Sequence, residues 1–204
     1  MNSPAHMRWG RGGFTLVEMV LVMSIMAVLA TLVLLSLGNL KSTNLTAAGN
    51  MVTENMAYAR ELAVSKNQPT EVWFLRPQGG TSLDAMRVYL VTQSGDTTPS
   101  GPLRRLPVGV VLDSGTFLSP LIVTGNVKTW SGGPTKPAIP GYGTAYNAWF
   151  VRFMPDGITT LSSTSQWYVT LHAQNVGDQL SSVPANYAMI SLDPVMGNVS
   201  LYRP

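Results

Sequence analysis

One carboxylate, Glu18, stands inside an apolar run from Phe14 to Leu37, whose only other polar side chains are Thr15, Ser24, Thr31 and Ser36. As a helix the run is about 36 Å long at ~1.5 Å per residue, enough to cross a bilayer core of about 30 Å. A carboxylate near the start of such a segment costs about 3 kcal/mol on insertion scales, so it calls for a partner. A cut between Gly13 and Phe14 would create one, a new α-amino group close to Glu18. In a low dielectric that attraction is far stronger than in water.

Other chemistry is thinly represented. The two histidines are His6 and His172, and His172 lies in an expected strand, where a lone histidine is more often a surface or satisfied residue than a catalyst. Asp84, Asp96, Asp113, Asp156, Asp178 and Asp193 mostly neighbour glycine, serine or proline, which are turn contexts. No Ser-x-x-Lys, Gly-x-Ser-x-Gly, His-Glu-x-x-His or phosphate-cradling glycine loop is present. There is no cysteine, hence no disulfide, thiol nucleophile or cysteine-ligated metal. No aspartate cluster has the alternating spacing of a calcium loop. The sequence therefore points to no enzyme, no catalytic residue, no cofactor and no metal. Nucleic acid is also disfavoured. Arg104-Arg105 is the only adjacent basic pair of the domain beyond the run, with Lys128, Lys136, Arg152 and Arg203 apart from it. Trp130, Tyr142, Tyr146 and Trp149 offer base-stacking rings in principle, but such rings are more often core or loop anchors.

The elements that position Glu18 follow from the pattern. Arg8 and Arg11 precede the run and would hold the N-terminus in the cytoplasm. A secretory signal peptide has a shorter apolar region, although Ala27-Val28-Leu29-Ala30 offers small residues midway; a plain anchor would give the same orientation without processing. Beyond the run, residues 38–68 read as an amphipathic continuation. Val52, Met56, Ala59 and Ala63 share a face, Glu54, Arg60 and Glu61 lie off it, and Pro69 stops the helix. Residues 69–204 then read as β, with strands at 70–76, 86–92, 108–113, 116–124, 148–154, 166–173, 187–192 and 198–202. The glycine- and proline-rich stretch 125–147 reads as a surface excursion. Charged residues are only 11% of the 204, at a formal net charge of +3, and loss of Arg8 and Arg11 would bring that to about +1.

A short basic leader, Gly13 before the cut, Phe14 after it and Glu18 five residues in resemble the type IV prepilin (class III) signal. Phe150-Val151-Arg152-Phe153-Met154-Pro155-Asp156-Gly157, and the ending Tyr187 to Pro194 through Gly197 to Tyr202, resemble the strand, turn and closing hairpin of the GspH/FimT group of minor pilins and pseudopilins. The resemblance implies an α+β fold, a long N-terminal transmembrane helix packed against antiparallel β-sheets. It implies a prepilin leader at 1–13, a transmembrane helix at 14–37, and a periplasmic globular domain at 69–204. A prepilin peptidase/methyltransferase would cut after Gly13 and methylate the Phe14 amine. Glu18 would neutralise the Phe14 amine of a neighbouring subunit and set the register of a type II secretion pseudopilus or type IV pilus. The partners so implied are that peptidase, other pilin or pseudopilin subunits, and the bacterial inner membrane, crossed once with the N-terminus cytoplasmic. Alternatives are a DNA-uptake or adhesion minor pilin, and a membrane-anchored periplasmic binding domain that does not polymerise. Relative to a minimal member, 125–147 looks like an insertion.

Overall fold

The computed structural model describes residues 15–122 and 136–204, without the side chains of 32–41. Helix α1 spans Leu16–Lys66. Thr15 precedes it as a cap. The Glu18 amide donates to Thr15 Oγ1, and the Thr15 amide and hydroxyl donate to Glu18 Oε2, all at 3.3 Å. This reciprocal arrangement satisfies donors that the first turn leaves open. At the other end Asn67 takes φ 49°, its amide donates to Val64 O, and the Gln68 amide donates to Ala63 O. That pair of bonds is a Schellman closure, and Pro69 follows because it cannot continue the helix.

Two compact units divide the chain, Met1–Leu40 and Lys41–Pro204. In the first, the described side chains from Leu16 to Thr31 are all exposed. Among the described residues no helix is both long and apolar enough to cross a membrane. Phe14 and the side chains of 32–37, which belong to the expected span, lie outside the described residues.

The second unit sets the later half of α1 against two antiparallel sheets, so the α+β architecture expected from the sequence is the one observed. The first sheet has β1 (Thr70–Pro77) between β2 (Ala85–Val91) and β6 (Tyr146–Phe153), with β3 (Thr97–Pro99) and β4 (Arg104–Arg105) both on β2. The second runs β5 (Val110–Leu112), β7 (Trp167–Ala173), β8 (Tyr187–Leu192), β9 (Val199–Tyr202). A bridge from Leu83 to Leu112 joins them.

One helical stripe serves both sheets. Val52, Met56, Ala59 and Ala63 are fully buried, as their spacing predicts, and Leu45, Ala48 and Leu62 extend the stripe. Against it lie Val72, Phe74, Val88, Val151 and Phe153 of the first sheet and Val169, Leu171, Ala188, Ile190 and Leu192 of the second. Alternation along the strands sends every second side chain inward. The last strand closes the unit. Arg203, next to β9, donates from Nη1 to Ser42 O (2.8 Å) and from Nη2 to Ser42 Oγ (2.7 Å).

Three expectations need correction. Residues 116–122 form a turn at 116–118 and a 3-10 turn at Pro120–Ile122 instead of a strand, because Ser119, Leu121 and Ile122 turn into the core there. Residues 123–124 of that expected strand lie outside the described residues. The short strands β3 and β4 were not expected; they hold because β2 offers them an open edge. The excursion 125–147 is not a surface loop at its end. Ile139, Tyr142 and Tyr146 are buried with Trp73, Leu75, Ala85, Tyr89 and Ala148, forming a second core on the sheet face turned away from α1. Residues 125–135 lie outside the described residues.

Candidate functional site

Gly13 and Phe14 lie outside the described residues. Glu18 is the third residue of α1 and is exposed, with its Oε2 tied back to Thr15. Around it stand Leu16 (81% exposed), Val17 (74%) and Met19 (52%). A carboxylate thus sits at the head of a helix whose surroundings are apolar and uncovered. The helix N-terminus favours negative charge. Chemically, Glu18 can accept hydrogen bonds or pair with a cation. The residue that sequence reasoning missed here is Thr15. Its signal was legible as Thr-x-x-Glu before an apolar run.

Other polar groups are committed to structure. His172 is fully buried. Its Nε2 meets Asp113 Oδ2 at 3.2 Å, and its Nδ1 meets the Ala173 carbonyl at 3.0 Å, so both ring nitrogens are in use. Asp113 also accepts from the Gly115 amide (2.7 Å) and the Leu180 amide (3.1 Å), pinning two loops. Asp178 accepts from the Ser114 amide and hydroxyl, and Asp193 from the amides of Val195 and Met196. Asp96 accepts from Ser94 Oγ and Asp156 from the Ile158 amide, while Asp84 accepts from the Tyr142 hydroxyl at 2.7 Å. Among the described residues no three His, Asp or Glu side chains gather to hold a metal.

Arg104 and Arg105 do not form a joint basic patch. Arg105 lies over the Tyr142 ring at 4.8 Å, whereas Arg104 lines a groove with Glu54 and Tyr58 on the helix side. The sheet does gather other cations. Arg87 sits over Tyr89 at 5.8 Å, Lys136 over Tyr146 at 4.1 Å and Arg152 over Phe150 at 5.6 Å. These contacts cover the rings, and Tyr142 and Tyr146 are only 8% and 1% exposed, so neither is a stacking platform. On the other face Arg76 covers Trp149 at 4.7 Å. Trp130 and Lys128 lie outside the described residues.

Burial raises the Tyr142 phenol well above its ordinary value. Its hydrogen bond to the Asp84 carboxylate and that charge add to the effect, and Arg105 opposes it. Burial and the neighbouring Tyr89 likewise raise Tyr146. Burial raises Tyr89, with Arg87 opposing, and no hydrogen bond reaches the Tyr89 hydroxyl among the described residues. Burial lowers Lys136.

A second carboxylate that the sequence did not single out is Glu71, fully buried on β1. Trp73 Nε1 donates to its Oε2 at 2.7 Å, and Arg152 donates to its Oε1 from Nε (3.0 Å) and Nη2 (2.5 Å). Register explains the pair, since Glu71 faces Arg152 directly across β1 and β6. A single acid in one apolar strand and a single base in another was the available signal.

Residues 10–34 match the family model of the prokaryotic N-terminal methylation motif. No curated protein matches the chain by sequence. Among solved structures, it is similar to the minor pseudopilin EpsH from the type II secretion system of Vibrio cholerae, at 10% identity and a TM-score of 0.44, over 79% of this chain and 98% of that one. It is also similar to the type IV minor pilin FimU of Pseudomonas aeruginosa, at 12% identity and a TM-score of 0.48, over 79% and 93%. Residues 10–34 therefore carry the prokaryotic N-terminal methylation motif, and Glu18 stands within it.

Proposed function

We propose that the protein is a structural subunit, a minor pilin or pseudopilin of a type II secretion pseudopilus or type IV pilus. The observation that carries this reading is Glu18, exposed at the head of an apolar helix inside the segment that matches the methylation motif. In this reading a prepilin peptidase cuts between Gly13 and Phe14 and methylates the new amine. Residues 14–37 hold the subunit in the inner membrane with its second unit in the periplasm, until it joins a filament.

Mechanism follows from charge. In a helical core packed from residues such as Val17, Met19 and Val20, the Glu18 carboxylate costs free energy unless a cation meets it. The Phe14 amine of an adjacent subunit supplies that cation. Only one axial offset brings the two within reach, so the pair selects register as well as cancelling charge. On leaving the capped state, Glu18 exchanges its Thr15 contacts for the amine, and Thr15 Oγ1 still accepts from the Glu18 amide.

N-terminal sequencing with intact-mass measurement, on membranes from cells with and without a prepilin peptidase, tests the reading. A chain starting at methylated Phe14 only when the peptidase is present supports it. A chain still starting at Met1, or cut after Ala30, refutes it and leaves an anchored or secreted β-rich domain.

A further inference from the structure

An antiparallel ladder turns alternate residues of a strand toward its neighbour and leaves the N–H and C=O groups of the others facing away. At the rim of a sheet those outward groups are a template for a further strand, and native proteins blunt them. The rims before β9 carry such devices. On β3 the outward places are Thr97 and Pro99, and proline brings no N–H. On β4 the outward place is Arg105, a charge. On β5 both outward amides are used within the chain, Val110 on Pro107 O (3.1 Å) and Leu112 on Leu83 O (3.2 Å). β6 is held at both ends, where Lys136 Nζ donates to Tyr146 O and the Thr160 amide donates to Arg152 O. β9, which ends the second sheet, has none of these. The Asp193 amide bonds Asn198 O, so the pairs Ser191–Ser200 and Met189–Tyr202 share that phase. Val199 and Leu201 therefore point N–H and C=O away from β8, and no group among the described residues bonds them. Beside this edge lies an open groove of about 650 Å³, between Gly197–Val199 and α1 at Ala57, Glu61 and Val64. Val64 is 52% exposed.

We propose that β9 is a docking edge for an extended segment of an adjacent subunit, whose backbone continues the second sheet. The inference rests on reading the protein as a filament subunit. The edge specifies the chemistry of its occupant. Outward donors and acceptors recur every second residue, about 6.8 Å apart at ~3.4 Å per residue. Another extended backbone matches that row. The groove specifies the side chains. Val199 and Leu201 pack toward the core, with Leu201 against Gly49 of α1. Residues that face each other across a ladder share a side of the sheet. Side chains opposite Val199 and Leu201 thus fall on the helix side, where small apolar groups would cover Ala57 and Val64. Arg60 is tied to Gly157 O at 3.3 Å and leaves the groove open. Glu61 has no ion-pair partner among the described residues, so a basic side chain in the added segment would complete it.

Amide exchange of the full chain, read residue by residue by mass spectrometry, tests this in two states, solubilised in detergent micelles and assembled in a sheared filament fraction. Ser200 and Tyr202, bonded to β8, should be protected in both. Val199 and Leu201 should exchange freely in micelles and at least about tenfold more slowly after assembly. Free exchange of both in the assembled state overturns this inference and leaves the filament reading standing. A chain missing from the sheared fraction overturns the filament reading, and this inference with it. Protection already present in micelles also overturns it, because the edge is then closed within the subunit or by a second copy. Val199→Pro adds a second measurement. It removes one outward N–H at the first residue of an edge strand, where proline leaves the ladder to β8 intact. It should lower incorporation about fivefold, the worth of one backbone hydrogen bond, with an unchanged urea midpoint in micelles. Ser200→Pro, which takes an N–H out of the ladder, should lower that midpoint. Val199→Pro that keeps its midpoint and incorporates as well as the parent chain overturns the inference; if its midpoint falls, the exchange measurement decides.

Discussion

Glu71 and Arg152 allow a sharp test of how the first sheet is held. Glu71 has no exposed side-chain surface, and the Arg152 side chain is 33% exposed. Arg152→Ala removes the two Arg152 donors from Oε1, while the Trp73 indole still donates to Oε2. Breaking a buried pair by deleting one partner costs about 3–5 kcal/mol. Water can enter where Arg152 was partly exposed, which places this case near the lower end, at about 3 kcal/mol. Glu71→Gln keeps an oxygen for one donor and removes the buried charge, so it costs only about 1–2 kcal/mol alone. In the Arg152→Ala background the same change should stabilise, because a neutral amide needs no cation. Urea unfolding of the full chain in detergent micelles, followed by tryptophan fluorescence, gives all four corners of the cycle. The reasoning fails if Arg152→Ala costs under about 1 kcal/mol, or if Glu71→Gln destabilises equally in both backgrounds.

Glu18→Ala should leave processing after Gly13 intact while lowering incorporation into filaments at least about tenfold, the loss expected for an unpaired core amine worth ~1.4 kcal/mol or more; equal incorporation in a shear fraction would refute the register role. Gly197→Ala should destabilise by more than about 2 kcal/mol in the same urea assay, since φ +66° disfavours a side chain and the new Cβ would collide with Gly157 O. Alkali should also act through the phenols. Tyr142 and Tyr146 are raised in the folded state above 10.0, so the stability they contribute is fully present below about pH 10. Above that pH the unfolded chain releases protons first, and stability falls. Tyr142→Phe should flatten that fall in urea midpoints measured from pH 9 to 11, and an unchanged slope would refute the assignment.

Much of the fold was legible because periodicity survives packing. Val52, Met56, Ala59 and Ala63 announce a buried stripe, and Pro69 with Asn67 announces its end. Strands β1, β2, β6, β7, β8 and β9 fall close to their expected places, since alternation and turn residues are local signals. The covered outer face of the first sheet was not legible. Ile139, Tyr142 and Tyr146 follow glycine and proline, so local composition reads as loop, while burial is decided by Trp73 and Tyr89 far away in sequence. The same holds for the His172–Asp113 pair, which depends on β5 lying beside β7. At the candidate site, Glu18 stood out because a charge in an apolar run has no local excuse. Thr15 was overlooked because a threonine at a helix start looks ordinary until its bonds are seen.

The clasp between Arg203 and Ser42 spans 161 positions of sequence, and β9 beside it follows every other strand in the chain. A ribosome working at roughly 5–20 residues per second needs on the order of ten seconds to travel from the end of α1 to β9. Throughout that interval the stripe through Leu45, Val52 and Met56 is finished but lacks part of its cover. Small residues at Ala48, Ala59 and Ala63 keep its greasy area modest meanwhile. The waiting time of an unfinished subunit is thus written into strand order, and shuffling that order would change how long the chain needs a chaperone without changing one native contact.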